Sequence, residues 1–355
     1  MKNRLQKLRR EFAEKEIDAI FISQPENRYY LSGFDGSSGY LLITPQNAIL
    51  ATDFRYLEQA RTQAPDYEIF QITGDIAEWF PQLTNGLGLK RLGFEAGHVT
   101  FAIYRRLSNM LKQSQLKLVP VGELVESLRA IKEPEEIEFI AKVIEITDNA
   151  FEYIEDLIHI GMSEKEIAWE IEKSLREKGS ESLPFDVIVA SGPNSALPHA
   201  KPSPRTIQPG EPVVIDMGAR CNGYCSDLSR TICLGTPDDT FIKIYDTVLG
   251  AQLMTFAIIK EGMTGEQVDS LARIVIEEAG YSQAFGHGLG HGLGLAPHEL
   301  PRLRPNSTGL LTSGMVFTIE PGIYITGWGG MRIEDVVVIE NGKTRVLSKA
   351  RKVMK

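Results

Sequence analysis

Apolar positions along the chain fall into two successive rhythms. At the start, Leu5, Leu8, Phe12 and Ile17 recur at roughly helical spacing, which predicts an amphipathic helix feeding a strand at Ala19–Ile22. From there to about residue 121, β-branched or aromatic runs (YLLIT, AILAT, YEIFQI, RLGFE, LKLVPV) alternate with helical stretches such as residues 100–112, the pattern of an α/β domain. Near Leu128 the rhythm changes. A long helix is expected, with Pro134 in its first turn, Glu135 and Glu136 favourable to its dipole, and Gly161 as its stop. Ser163 with Glu166, and Thr264 with Gln267, read as capping boxes opening helices that run to Gly179 and Gly280. The runs FDVIVAS, PVVIDMGA, YCSDLSRTICL, MVFTIEPGIYI and MRIEDVVVIE read as strands. The expectation is an α/β domain over residues 1–127 and an α+β domain over 128–355, the latter with helices on a mostly antiparallel sheet.

Composition narrows the function classes. A chain of 355 residues is long enough for about two domains with cores of their own. Hydrophobic residues at 43% and charged residues at 24% describe an ordinary soluble globular protein, neither disordered nor membrane-embedded. A net charge of −9 lacks the basic field that nucleic-acid backbones require. The opening MKNRLQKLRREFAEKEIDAIFIS is charged throughout, with no signal-peptide or spanning stretch. Cys221, Cys225 and Cys233 form an odd, clustered set rather than a disulfide framework, so a reducing, cytoplasmic setting is expected. Cys221 and Cys225 lack a second pair to complete a zinc site and read as small core residues. The glycine- and serine-rich residues 32–39 lack dinucleotide-binding spacing and read as a flexible turn.

The chemistry lies in acids set within apolar runs. Asp216 stands in VVIDM, where an ionised carboxylate must be paired or metal-bound. Asn222-Gly223 is a strong two-residue hairpin signal, and a turn there sets Asp216 opposite Ser229 and Asp227 opposite Gly218, so both acids project from one face. Glu320 and Glu334 form a second such pair around a glycine-rich turn at residues 326–330. A buried ion pair with Arg230 or Arg332 would satisfy any one of these acids. For all four on two hairpins, two divalent cations are the better balance of charge.

The stretch GHGLGHGLG carries His287 and His291, and glycine at every second position disfavours helix, so an extended segment closely approached by a ligand is expected. His98 and His159 stand alone and are not expected at the site. Gly342-Lys343-Thr344 lacks the first glycine of a P-loop, and His298-Glu299-Leu300-Pro301-Arg302 has arginine where a zinc-binding helix needs its second histidine.

Asp216, Asp227, His291, Glu320 and Glu334, in that order and within VVIDMGA, SDLSRT, GHGLGHGLGLAPHE, FTIEPGIY and MRIEDVVVI, closely resemble the ligands of the pita-bread metallopeptidases. The extra amino-terminal domain points to the Xaa-Pro branch, which includes aminopeptidase P and prolidase. The resemblance covers residues 128–350 strongly and 1–127 more loosely. It implies a creatinase-type N-terminal α/β domain before an α+β pita-bread catalytic domain. It also implies two divalent ions, manganese or cobalt before zinc, and a metal-activated bridging water that attacks Xaa-Pro bonds in dipeptides or at peptide N-termini. By the family pattern Asp227 chelates one ion, His291 the other, and Asp216 and Glu334 serve both. Glu320 binds metal and takes the water's proton, while His199 and His298 hydrogen-bond substrate and the tetrahedral intermediate. His287 lines the proline side, Arg302 matches the arginine that receives a dipeptide's carboxylate, and Arg332 is expected behind the ligands. Residues 33–39, without a histidine, look more like the loop of aminopeptidase P-like proteins. A homodimer acting on proline-containing peptides is expected, without nucleic acid or membrane. The alternatives are a creatinase-type C–N hydrolase, which needs no metal, and a catalytically inactive binding module of the same fold; both usually lack some of the five ligands.

Overall fold

The structure is a computed structural model that describes residues 2–352 and divides into two compact units, Met1–Arg129 and Ala130–Lys355. In the first unit the opening helix, Lys2–Arg10, buries Leu5 and Leu8, and the chain beyond it buries Phe12 and Ile17 before entering β1 (Ala19–Ile22). β2 (Tyr40–Ile43), β3 (Ala48–Asp53), β4 (Glu68–Ile72), β5 (Arg91–Glu95) and β6 (Lys117–Val121) complete a six-stranded sheet in the order β4-β3-β2-β1-β5-β6. β2 is antiparallel to β1 and β3, and the remaining neighbours are parallel. Parallel neighbours require crossovers, and the helices Leu57–Gln63, Ile76–Thr84 and Phe101–Met110 supply connecting segments. Trp79, Phe80, Leu83 and Leu107 from these helices join Phe21, Leu42 and Leu92 of the sheet in one buried cluster. The glycine-serine loop read as a flexible turn is instead braced. The buried guanidinium of Arg28 donates to the carbonyls of Gly36 and Gly39, and the Phe34 ring leaves no room for a Cβ at Gly36.

The second unit begins with the helix Pro134–Leu157, capped reciprocally by Glu133 and Glu136. It ends four residues before Gly161. Ile158 turns extended (ψ 133°) and is buried, so packing ends the helix first, and Gly161 (φ 93°) shapes the turn beyond. Both serine/threonine capping boxes form as expected, opening Glu164–Glu177 and Gly265–Glu278. A further helix, Asp239–Ile258, is long and apolar enough to cross a membrane, but its Phe241, Ile244, Val248 and Ala251 lie in the unit's core.

The strands here pair antiparallel throughout. β7 (Ile188–Ser191), β8 (Pro212–Met217), the short β9 (Arg220–Cys221) and β10 (Tyr224–Cys225), and β11 (Leu228–Cys233) build a three-stranded sheet, β11-β8-β7, with a separate two-stranded tip, β10-β9. β12 (Gly290–Gly292), β13 (Glu299–Leu303), β14 (Val316–Ile319), β15 (Gly322–Ile325), β16 (Gly329–Arg332), β17 (Asp335–Glu340) and β18 (Lys343–Val346) follow. They form the sheet β13-β12-β14-β17-β18 and the pair β15-β16. Phe317, Ile319, Val337 and Ile339 pack against the helices Asp239–Ile258 and Gly265–Glu278 in the main core cluster. Cys225 and Cys233 are buried as expected of core residues, but Cys221 is only half-buried at the hairpin tip, with its thiol near Glu181.

Candidate metal centre

The first acidic hairpin turns at Asn222 (φ 49°) and Gly223 (φ 78°), the left-handed pair that such a two-residue turn demands. One register runs from this turn through both ladder segments: Tyr224 pairs with Cys221, Cys225 with Arg220, Leu228 with Met217 and Ser229 with Asp216. Asp216 therefore lies within β8, whereas Asp227 lies in the gap between β10 and β11. Ser226 makes that gap, its Oγ taking the Ala219 amide at 2.9 Å and its own amide donating to the Ala219 carbonyl.

The second hairpin repeats the device. Gly322 pairs with Arg332 and Ile319 with Asp335, and between those two segments stand Glu320 and Glu334. Their amides turn away from each other, Glu320 N–H to the Leu289 carbonyl (2.8 Å) and Glu334 N–H to the Ser229 carbonyl (3.0 Å). The continuous strands read from the sequence are thus broken at the acids. Three of the four carboxylates occupy breaks, and at Glu320 and Glu334 the freed amide bonds a neighbouring segment, with Glu334 tying the second hairpin to the first.

The fifth residue comes from β12. Its alternating glycines are steric necessities: a Cβ at Gly290 would lie 2.0 Å from the Thr318 carbonyl oxygen, and one at Gly292 would lie 2.0 Å from that of Leu300. Only Gly290–Gly292 is extended in the ladder, so the extended stretch is shorter than the sequence suggests. Ligand atoms of Asp227, His291 and Glu334 lie within 4.8 Å of one another. The His291 Nε2 atom is 3.7 Å from Asp227 and 3.2 Å from Glu320. Asp216 receives Arg332 Nη2 on one oxygen at 2.6 Å, while its Oδ1 is buried with no hydrogen-bond partner.

The electrostatics follow from this crowding. Burial, followed by the charges of neighbouring carboxylates, pushes Asp227 and Glu334 well above the usual carboxylate range. Burial also raises Asp216, against the pull of Arg332. Glu320 and His291 form the opposite case. Burial disfavours charge on both, but their mutual hydrogen bond and attraction outweigh it, holding Glu320 down at about 2 and raising His291 to about 9. Without cations the cluster keeps protons that metal ligands must shed. An orphaned buried oxygen on Asp216, four carboxylates and one imidazole are a donor set suited to hard or borderline divalent ions.

Around the acids the remaining residues take distinct places. Arg332 is buried and donates to Asp216, to Ser229 Oγ (2.8 Å), to Tyr324 Oη (2.9 Å) and to the Pro198 carbonyl (3.3 Å). Arg230, the other cation considered for these acids, pairs with Asp335 instead at 2.7 Å. His287 reaches Tyr324 Oη with Nε2 at 3.0 Å and meets the Phe285 ring edge-on, and burial lowers its pKa. The His298 ring centroid lies 4.3 Å from that of His291; burial, then the positive charges of His291 and His199, lower its pKa. His199 itself is exposed, shortly after the turn Gly192–Ala196. Arg302 is exposed on β13 as the cross-strand partner of His291, which sets the two side chains on one face. His98 and His159 make local contacts elsewhere, with Ser23 and the Ile160 carbonyl.

Two contributors were missed from the sequence. Thr318 Oγ1 accepts the His291 amide and donates to Glu320 at 3.2 Å. Its place two residues before Glu320, on the same face of the run, is a signal that could have found it. Tyr324 joins His287 to Arg332. Nothing in its strand-like surroundings distinguishes it from a core aromatic.

A paired-hairpin acid cluster with one strand-borne histidine, preceded by a separate α/β unit, defines a class. The chain belongs to metallopeptidase family M24, whose model matches residues 138–341, and residues 4–131 match the creatinase/prolidase N-terminal domain. It is 42% identical to an Xaa-Pro dipeptidase from Bacillus anthracis of solved structure, with a TM-score of 0.96 over 99% of both chains. It is 39% identical over 358 residues to an Xaa-Pro dipeptidase of Pyrococcus furiosus, covering 100% of each chain. An X-Pro aminopeptidase structure from Thermotoga maritima matches at 38% identity and a TM-score of 0.87, covering 97% of this chain and 99% of that one. The architecture is that of a creatinase-type N-terminal domain followed by an α+β pita-bread catalytic domain, and the family implies divalent metal ions.

Proposed function

We propose that this protein hydrolyses the Xaa-Pro bond of proline-containing dipeptides or of longer peptides at their N-termini. The observation that carries the reading is the five-residue donor cluster, Asp216, Asp227, His291, Glu320 and Glu334, with its orphaned Asp216 oxygen. Two divalent ions, manganese or cobalt with zinc also suited to these donors, would supply a water acidified to near-neutral pKa and a polarised scissile carbonyl. Asp227 would hold one ion and His291 the other, with Asp216 and Glu334 contributing to both and Arg332 fixing the orientation of Asp216.

Glu320 takes up the proton released by the attacking water. His298, held neutral near pH 7 by its lowered pKa, donates from a ring N–H to the substrate carbonyl or the tetrahedral oxyanion, and His199 assists from the facing segment. His287, fixed by Tyr324, lines the proline side. Arg302, beside His291 on the ladder, receives the terminal carboxylate of a dipeptide. In this reading residues 1–127 form the N-terminal domain, and the enzyme works in the cytoplasm as a homodimer.

The test is reconstitution of metal-depleted protein with manganese, cobalt or zinc, with bound metal counted by elemental analysis and turnover followed on Ala-Pro and Ala-Pro-Ala. Metal-dependent cleavage of either peptide is expected. Metal uptake without cleavage of any Xaa-Pro peptide would refute the substrate class.

A further inference from the structure

The helix Glu164–Glu177 begins with a carboxylate that the capping box does not use. Glu166 closes the box with Ser163, whereas Glu164 points inward and is wholly buried. An ionised carboxylate in such a place must be saturated with donors, and it is. Its Oε1 accepts from the Ser191 amide (2.7 Å), the Ser191 hydroxyl (2.8 Å) and Asn194 Nδ2 (3.1 Å). Its Oε2 accepts from the Ser203 amide (2.9 Å), the Ser203 hydroxyl (2.6 Å) and the same Asn194 nitrogen (3.2 Å). All six contacts come from three residues of one stretch of chain, 191–203, and two of those three residues are its ends. The backbone reinforces the closure, with the Glu164 amide donating to the Arg205 carbonyl and the Lys165 amide to that of Ser203. Arg205 Nη1 also reaches Ser191 Oγ at 2.6 Å and lends the carboxylate a nearby positive charge.

Between those clamped ends stands His199. The near side of the segment is tied to the acid hairpin: the Gly330 amide donates to Ser195 Oγ at 2.7 Å, and Arg332 reaches the carbonyl of Pro198, the residue before His199. The far side, after His199, is held to the helix by the Ser203 bonds to Glu164. An exposed histidine on an irregular segment keeps its position only if both flanks are fixed. The substrate-facing role given to His199 tolerates little misplacement.

We propose that Glu164 is a positioning residue for His199, closing residues 191–203 into a rigid frame so that the imidazole stands in place before substrate binds. The proposal rests on the peptidase reading for its effect on rate. The frame itself can be read without any turnover.

Glu164→Gln keeps the size but replaces one acceptor oxygen with an NH2 group facing N–H and O–H donors. Hydrogen exchange in the metal-loaded protein should show lost protection across peptides spanning residues 191–205, with the peptides carrying Asp216, Asp227 and Glu334 unchanged and the metal content equal to wild type. On Ala-Pro, kcat/KM should fall at least about tenfold, a change of about 1.4 kcal/mol. In the double variant with His199→Ala the loss should not exceed that of His199→Ala alone, because two residues acting as one unit are not additive. Ser203→Ala, which trims the frame without removing the buried charge, should move both readouts the same way by a smaller factor and guards against a Gln variant that does not fold. Unchanged exchange over residues 191–205, or rate losses that multiply in the double variant, would overturn the proposal. If no Xaa-Pro peptide is cleaved by wild type, the peptidase reading fails, and the exchange result still decides whether Glu164 holds the frame.

Discussion

Stripped of metal, this protein should melt at clearly different temperatures at pH 6.5 and pH 9. In the metal-free site His291 is held protonated by Glu320 and Glu334, its pKa raised from the ordinary 6.5 to about 9. A base whose folded pKa is raised contributes stability that is complete below its unfolded pKa and is lost as pH climbs through the folded value. The difference, at about 1.4 kcal/mol per pH unit, is about 3 kcal/mol. Asp227 and Glu334, whose carboxyls burial raises, push in the same direction, since deprotonating them in the fold is unfavourable. Glu320, held at about 2, contributes stability that is lost as pH falls from 4.5 through about 2, outside this interval. His287 and His298 are lowered, so their effects are complete by about pH 6.5 and leave the interval above it to His291 and the carboxyls of Asp227 and Glu334. For a unit of this size 1 kcal/mol moves the melting temperature by about 2–4 °C, so a fall of about 6–12 °C is expected between pH 6.5 and 9. Metal-loaded protein should trend the other way, because ligands must lose protons before cations bind, and tighter binding at higher pH stabilises the fold. The assay is calorimetry of chelator-treated and reconstituted protein across that interval, with His291→Ala as control. A metal-free melting temperature that stays flat or rises, or a His291→Ala protein with the wild-type slope, would refute the electrostatic account.

Three further outcomes follow from the geometry. Asp227→Asn should cut activity by more than the roughly 10–100-fold typical of residues behind metal ligands, with bound metal falling alongside it; full activity at ordinary metal concentration would remove Asp227 from the ligand set. Arg302→Ala should weaken kcat/KM for Ala-Pro by up to about fivefold, the loss of a solvated charge pair worth about 1 kcal/mol, while Ala-Pro-Ala changes little; equal effects on both would mean Arg302 does not read a dipeptide's carboxylate. Gly290→Ala drives a methyl into the Thr318 carbonyl, so unfolding should show a loss of about 1–3 kcal/mol or more, and a denaturation midpoint like wild type's would contradict the close approach.

What the sequence made legible was local. The Asn222-Gly223 turn sets the register that brings Asp216 and Asp227 to one face, and the turn signal needs only neighbouring residues. The capping boxes at Ser163 and Thr264 are equally short-ranged. The alternation GHGLGHGLG read as a backbone approached closely by a ligand, whereas what approaches Gly290 and Gly292 is the backbone of Thr318 and Leu300, which only tertiary structure supplies. Strand breaks at the acids escaped the pattern because the bond that opens the second one joins Glu334 to Ser229, more than a hundred residues away. Gly161 misled for a related reason: burial of Ile158 ended the helix before the glycine was reached. Tyr324 shows the same limit, since it takes its role from His287, 37 residues before it.

The unbroken register of the two acidic hairpins also bears on how this chain can change in length. In each hairpin the pairing counts residues from the tip, so a single insertion or deletion at residues 222–223, or in the turn between β15 and β16, would move every residue of one arm to the opposite face. Asp227 or Glu334 would then point away from its companion, with the composition of the strands intact. The mostly exposed stretch 85–88, which joins the helix Ile76–Thr84 to β5, carries no such count and can lengthen at small entropic cost. Drift in loop length among descendants of this sequence should therefore concentrate in that stretch and spare the two tips, and a library of one-residue deletions scored for metal retention would show the contrast directly.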